Sequence, residues 1–199
     1  MEPLFKYVDW DFDEYTIFEP GERFIKNAEA IANNVGKNIN FINRPFDVDN
    51  ETSGLKYDAI ICSQLLHEVQ NPSELLESIY FTADLNTLIH INVPNANSFH
   101  RLLAKEMNLI LDTKQFSERN IRLQQNAVFD LQELNKICVE AGFTVYESGS
   151  YFVKPFTHEQ MKRMMDEKII DLKVLDGLYS MIRYIPNMGS EIYVNCRKN

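Results

Sequence analysis

The run Tyr15-Thr16-Ile17-Phe18 ends on Glu19, and a helix pattern from Gly21 to Asn34 begins directly after it. A strand that passes straight into a helix, with an acid at the junction, is the local form of an open α/β sheet. The acid then stands at the strand's carboxyl end, where such sheets bind ligands, and it can accept from both hydroxyls of a ribose. Its structural alternative is an acid placed to favour the helix dipole. A nucleotide-binding chain would carry a strand, a glycine-rich turn and a helix roughly 20 residues earlier. Only 18 residues precede Glu19, and none of them is glycine. The acid is present and the phosphate-type loop is not.

The alternation continues. Ile39–Ile42 reads as a second strand, Val48 to Lys56 as a polar turn, and Ala59-Ile60-Ile61-Cys62 as a strand apolar enough to be buried on both faces. Ser73 after Pro72 is the expected cap of a helix through Leu75, Leu76, Ile79 and Tyr80, and Thr87–Val93 is the next strand. Ser98 to Leu111 reads as a helix with a less regular tail. Asp130 caps a helix closed by Gly142. Phe143–Val145 and Tyr151–Val153 read as two extended pieces, His158 to about Tyr184 as one methionine-rich helix, and Glu191–Cys196 as a last strand. Strands alternating with helices predict a doubly wound α/β sheet.

The bulk numbers narrow the partners. With 29 acidic and 20 basic residues the formal charge is −9, which excludes nonspecific binding to a nucleic-acid backbone. Cys62, Cys138 and Cys196 are odd in number and without C-x-x-C spacing, as expected of reduced core thiols in a cytoplasmic protein. No apolar run reaches the ~18 residues of a membrane span, and there is no signal peptide. P-loop, H-E-x-x-H, G-x-S-x-G and zinc spacings are all missing.

Five segments stand out by their order and spacing: F-D-E-Y-T-I-F-E-P (Phe12–Pro20), K-Y-D-A-I-I-C-S-Q-L-L-H-E-V (Lys56–Val69), N-V-P-N-A-N-S-F-H-R-L (Asn92–Leu102), F-D-L-Q-E-L-N-K-I-C-V-E-A-G-F (Phe129–Phe143) and Y-F-V-K-P-F (Tyr151–Phe156). Together they resemble the class I S-adenosylmethionine-dependent methyltransferases of small molecules. The resemblance implies an open, mostly parallel Rossmann-like sheet that lacks its first strand, with a C-terminal helical subdomain. It implies one domain over 1–199: a truncated cofactor-binding half at 1–97, helical substrate or lid insertions at 98–129 and 155–190, and the rest of the sheet at 130–154 and 191–199. Residues Met1–Trp10 are apolar enough for a strand, but one parallel to Tyr15–Phe18 would need a crossover of about a dozen residues. A homo-oligomer or a partner subunit would then cover the open edge.

By the same resemblance Glu19 binds the ribose of S-adenosylmethionine, Phe46 packs on its purine and Asp47 accepts from the adenine amino group. Ser63 and Gln64 flank the methionine portion. Asn95 and Arg101 face a small-molecule acceptor, and His67 and His100 are the candidate general bases, since imidazole titrates near neutrality. The family's Glu-His order is exchanged at His67-Glu68, which turns the two side chains apart, so no metal is expected there. The activity implied is methyl transfer to an oxygen, nitrogen or carbon. The alternative is a catalytically inactive methyltransferase-like subunit that acts by binding a partner.

Overall fold

The computed structural model describes residues 4–6, 11–35, 38–47 and 56–199. The chain divides into two compact units, Met1–Asn50 and Glu51–Asn199. In the first, strand β1 (Tyr15–Phe18) leads through helix α1 (Glu22–Val35) to β2 (Ile39–Ile42), and the two strands pair in parallel. This is the crossover that the sequence pattern requires. Helix α1 buries Ile25 and Ala28, one turn apart on a single face. Leu4–Lys6 is a short 3₁₀ turn rather than a strand, and its Phe5 is buried edge-on against Tyr15 and Phe41. The remainder of the 1–10 segment, and the turn expected at 48–55, lie outside the described residues.

The second unit contains β3 (Ala59–Ser63), α2 (Pro72–Thr82), β4 (Leu88–Pro94), α3 (Phe99–Glu106), α4 (Glu118–Arg122), α5 (Leu131–Glu140), β5 (Phe143–Tyr151), α6 (His158–Asp166), α7 (Leu172–Ser180) and β6 (Glu191–Lys198). Its sheet runs β3-β4-β6-β5. The β3 and β4 strands are parallel, while β6 lies antiparallel to both β4 and β5. The sheet is therefore mixed where a mostly parallel one was expected. Among the described residues β1 pairs only with β2, and β3 only with β4.

One face of this sheet is mainly apolar, with Ser148 and Ser150 of β5 as its polar members. Ile89, Ile91 and Val93 of β4 and Ile192, Val194 and Cys196 of β6 are buried with Leu75, Leu76 and Ile79 of α2 and Leu134 and Cys138 of α5. At about 25 cal/mol per Å² of apolar surface removed from water, such a layer supplies the main driving force for folding. The opposite face alternates to His90, Asn92, Glu191, Tyr193, Asn195 and Glu147, all polar.

Four local readings need correction. Asn71, not Ser73, caps α2: its Oδ1 accepts from Glu74 N–H at 3.4 Å, and Pro72 takes the first helical position, where its missing N–H costs nothing. The β3 strand is exposed at Ala59 and buried only at Cys62, because it ends its sheet. The two extended pieces around Gly149 are one nine-residue strand, interrupted by a bulge between Val145 and Glu147. The long C-terminal helix is two helices. Lys168 at φ +56° ends the first, and Asp171 caps the second by accepting from Val174 N–H.

Candidate active site

In the first unit the expected residues cluster at the carboxyl ends of β1 and β2. Glu19 N–H bonds to Ile42 C=O at 3.1 Å, and Asn43 Nδ2 donates to the Glu19 carbonyl at 2.9 Å, which locks the two strand ends together. The Glu19 carboxylate turns towards the helix start, where Oε1 accepts the Gly21 N–H at 2.7 Å. A Cβ at position 21 would lie 2.9 Å from that oxygen and 2.7 Å from the Phe24 ring, so any larger residue there would displace one of these two side chains. Phe46 stands edge-on to Phe18, with ring centroids 4.9 Å apart. Asp47 pairs with Arg44, whose guanidinium also lies over the Phe18 ring.

In the second unit the carboxyl ends of β3, β4 and β5 and the start of β6 share one edge, and there a carboxylate organises the site. Glu191 Oε2 accepts from Gln64 Nε2 at 2.6 Å, Tyr151 OH at 2.7 Å and Asn92 Nδ2 at 3.0 Å. Among the described residues Oε1 takes no donor. Asn92 Nδ2 also reaches the Tyr151 oxygen at 2.8 Å. Burial first, and the neighbouring Glu191 second, push the Tyr151 hydroxyl above the usual phenol range, so it stays protonated and donates. Gln64 holds this position from a left-handed backbone, φ +56°, a strained conformation for a residue with a Cβ. Ser63, beside it at the end of β3, is exposed and opposite Asn92 in the ladder.

The expected acceptor-side residues fall into two groups. His67, Asn95 and Arg101 line one small hollow with Pro94, Asn120 and Gln125. His67 is buried, and desolvation lowers its pKa to about 4. Among the described residues its Nδ1 has no hydrogen-bond partner, and its Nε2 stands 3.8 Å from Glu68 Oε1. Asn95 is committed to the chain itself. Its Nδ2 donates to the carbonyls of Asn187 and Gly189, and its Oδ1 accepts from Asn97 N–H. Arg101 likewise donates to the carbonyls of Thr113 and Gln115. His100 lies outside the hollow; burial, then Lys154 and Arg101, bring its pKa to about 4. An imidazole held that low is neutral at pH 7 but a weak base. Among the described residues, no group of three or more His, Cys, Asp or Glu stands close enough to hold a metal ion. No helix among them is long and apolar enough to cross a membrane.

Sequence reasoning missed Asn92, Tyr151 and Glu191. The signal was present in β6, where Glu191, Tyr193 and Asn195 alternate with Ile192, Val194 and Cys196. That alternation marks a strand with one polar face.

An α/β chain with helices between its strands, carrying acids, amides and a tyrosine at the carboxyl edges, has the architecture of a Rossmann-like methyltransferase. The chain belongs to the methyltransferase-domain family, whose model matches residues 2–148. Solved structures agree on the fold. An S-adenosylmethionine-dependent methyltransferase of Thermotoga maritima, described as a possible histamine N-methyltransferase, superposes with a TM-score of 0.55 at 14% identity, over 93% of this chain and 73% of that one. One from Mesorhizobium loti gives 0.56 at 10% identity, over 94% and 81%. The plantazolicin methyltransferase BpumL, in complex with a monoazolic desmethylPZN analogue and SAH, gives 0.54 at 18% identity, over 94% and 66%. No curated protein matches this chain.

Proposed function

We propose that this protein transfers a methyl group from S-adenosylmethionine to a small molecule. The residues present fit that cofactor in kind. Glu19 gives one oxygen to Gly21 and keeps a second for a ribose hydroxyl, Phe46 offers a ring to a purine, and Asp47 offers a carboxylate to its amino group. Ser63 and Gln64, at the end of β3, would flank the methionine portion. S-adenosylmethionine supplies an electrophilic methyl carried on a sulfonium, so this chain has only to hold, orient and desolvate the acceptor and take up any proton released.

The observation that carries the acceptor side is the Glu191 carboxylate. Three donors fix it on one oxygen at the edge where such sheets bind ligands, and the other oxygen stays available. Glu191 would accept a hydrogen bond or a proton from the acceptor, with Tyr151, Asn92 and Gln64 fixing its geometry. His67 and His100, both held near 4 by burial, stay neutral at pH 7, and Asn95 and Arg101 shape the adjoining wall.

A second reading, a methyltransferase-like binding subunit, is favoured by the engagement of the Glu19 carboxylate with Gly21 N–H. Calorimetric titration with S-adenosylhomocysteine separates the two. Micromolar binding that Glu19→Ala weakens supports the enzyme, whereas no binding up to millimolar product leaves the binding subunit.

A further inference from the structure

The polar face of the four-stranded sheet is not a plain solvated surface. Under α7 and the turn that follows it lies a groove of about 640 Å³, a size suited to a small ligand. Its floor is made of rings. His90 and Tyr193 stack at 5.9 Å and 23°, and Tyr151 follows at 6.2 Å and 38°. Gly149 makes this floor flat, because a Cβ there would come within 3.1 Å of the Tyr193 ring. Tyr179 and Arg183 form part of the opposite wall.

The floor is held in place from one end by Glu147. A carboxylate can only accept, so Asn195 turns its Nδ2 to Glu147 at 2.8 Å and leaves its Oδ1 to His90 Nδ1 at 2.7 Å. His90 therefore carries its proton on Nδ1. Tyr193 OH donates to the other Glu147 oxygen at 3.2 Å. Glu191 closes the far end of the ring row. Among the described residues neither carboxylate forms an ion pair, and Arg183 uses its Nε on the Ser180 carbonyl at 3.3 Å. The groove thus offers aromatic faces with one carboxylate, Glu147, at the ring row and one guanidinium, Arg183, on the opposite wall, and Glu191 stands beyond its lining at the carboxyl edge. Glu147 lies opposite Asn195, four residues along β6 from Glu191, about 13 Å away. That spacing is too wide for one metal ion and suits the length of a small organic molecule.

From this geometry we infer that the groove is a recognition site for an organic ammonium group, held over Tyr193 and His90 by cation–π attraction and by Glu147. The cationic end sits deep on the sheet face and the rest of the ligand runs towards Glu191 at the carboxyl edge. The atom methylated is then remote from the ammonium. Describing that ligand as the methyl acceptor rests on the reading above; its binding does not.

Choline is a suitable probe, with 3,3-dimethylbutan-1-ol as its uncharged isostere, each titrated into the full chain by calorimetry without any cofactor. Choline is expected to bind saturably and about tenfold more tightly than the isostere. Tyr193→Leu and Glu147→Gln should each weaken choline several-fold while the melting temperature stays near that of the unmodified chain. Equal affinity for the two probes, or no saturable binding of choline, overturns the site; so does choline binding that both variants leave unchanged. The probe comparison needs no mutation, and S-adenosylhomocysteine binding is measured separately, so either idea can fail alone.

Discussion

Glu191 illustrates how much one side chain can organise. Replacing it by glutamine keeps the shape but removes the charge that three donors converge upon. We expect Glu191→Gln to lower kcat/KM for the acceptor by about 100-fold, a larger effect than on S-adenosylhomocysteine affinity measured by calorimetry. Gly189 is constrained in a different way. A Cβ there would meet the Tyr151 backbone nitrogen and oxygen at 2.6 Å, and neither atom can swing aside. Gly189→Ala should cost about 1–3 kcal/mol, read as a lower urea midpoint. The thiols are buried and free, and burial pushes Cys62 up to about 12. A thiolate is the reactive form, so a disulfide reagent should label none of the three in the native protein and all of them after denaturation.

The elements were legible wherever local chemistry sets them. Tyr15–Phe18 and Ile39–Ile42 appear as read, because each is a short β-branched or aromatic run bounded by turn residues. The helix after Asp130 also stands, and here the capping box is complete: Asp130 accepts from Glu133 N–H and Glu133 accepts from Asp130 N–H. Asp130→Ala should therefore cost about 1 kcal/mol, measurable by thermal unfolding. Readings failed where tertiary contacts decide. The periodicity of 158–184 persists through Lys168 because the apolar spacing resumes in α7, so composition could not reveal the break. Gly149 looked like a strand break, yet the Tyr193 ring that lies across it comes from 44 residues further along. The same limit applies to the site. Glu19 could be placed from its own strand and helix, whereas the Glu191 cluster draws on three separate strands and the turn after β3, and only folding assembles it.

For the molecule as a whole, His67 and His100 predict an acid limit to stability. Each imidazole titrates near 4 when folded, against 6.5 for an unperturbed one. The unfolded chain therefore binds more protons in that window. The contribution is fully present above about pH 6.5 and is lost as pH falls towards 4, and His67→Gln or His100→Gln should flatten the urea-midpoint profile there. The two units should also differ in protection. A two-stranded sheet is marginal alone, so peptides covering 15–42 are expected to exchange amide hydrogens sooner than those covering 88–94 and 191–198. Finally, the strand order β3-β4-β6-β5 has a consequence during synthesis. The interior strand β6 is made after its neighbours β4 and β5, so their facing edges wait, unzipped, until β6 has cleared the ribosome. The nascent chain must carry two sticky edges for that interval, which makes chaperone capture and early aggregation the natural hazards of its birth.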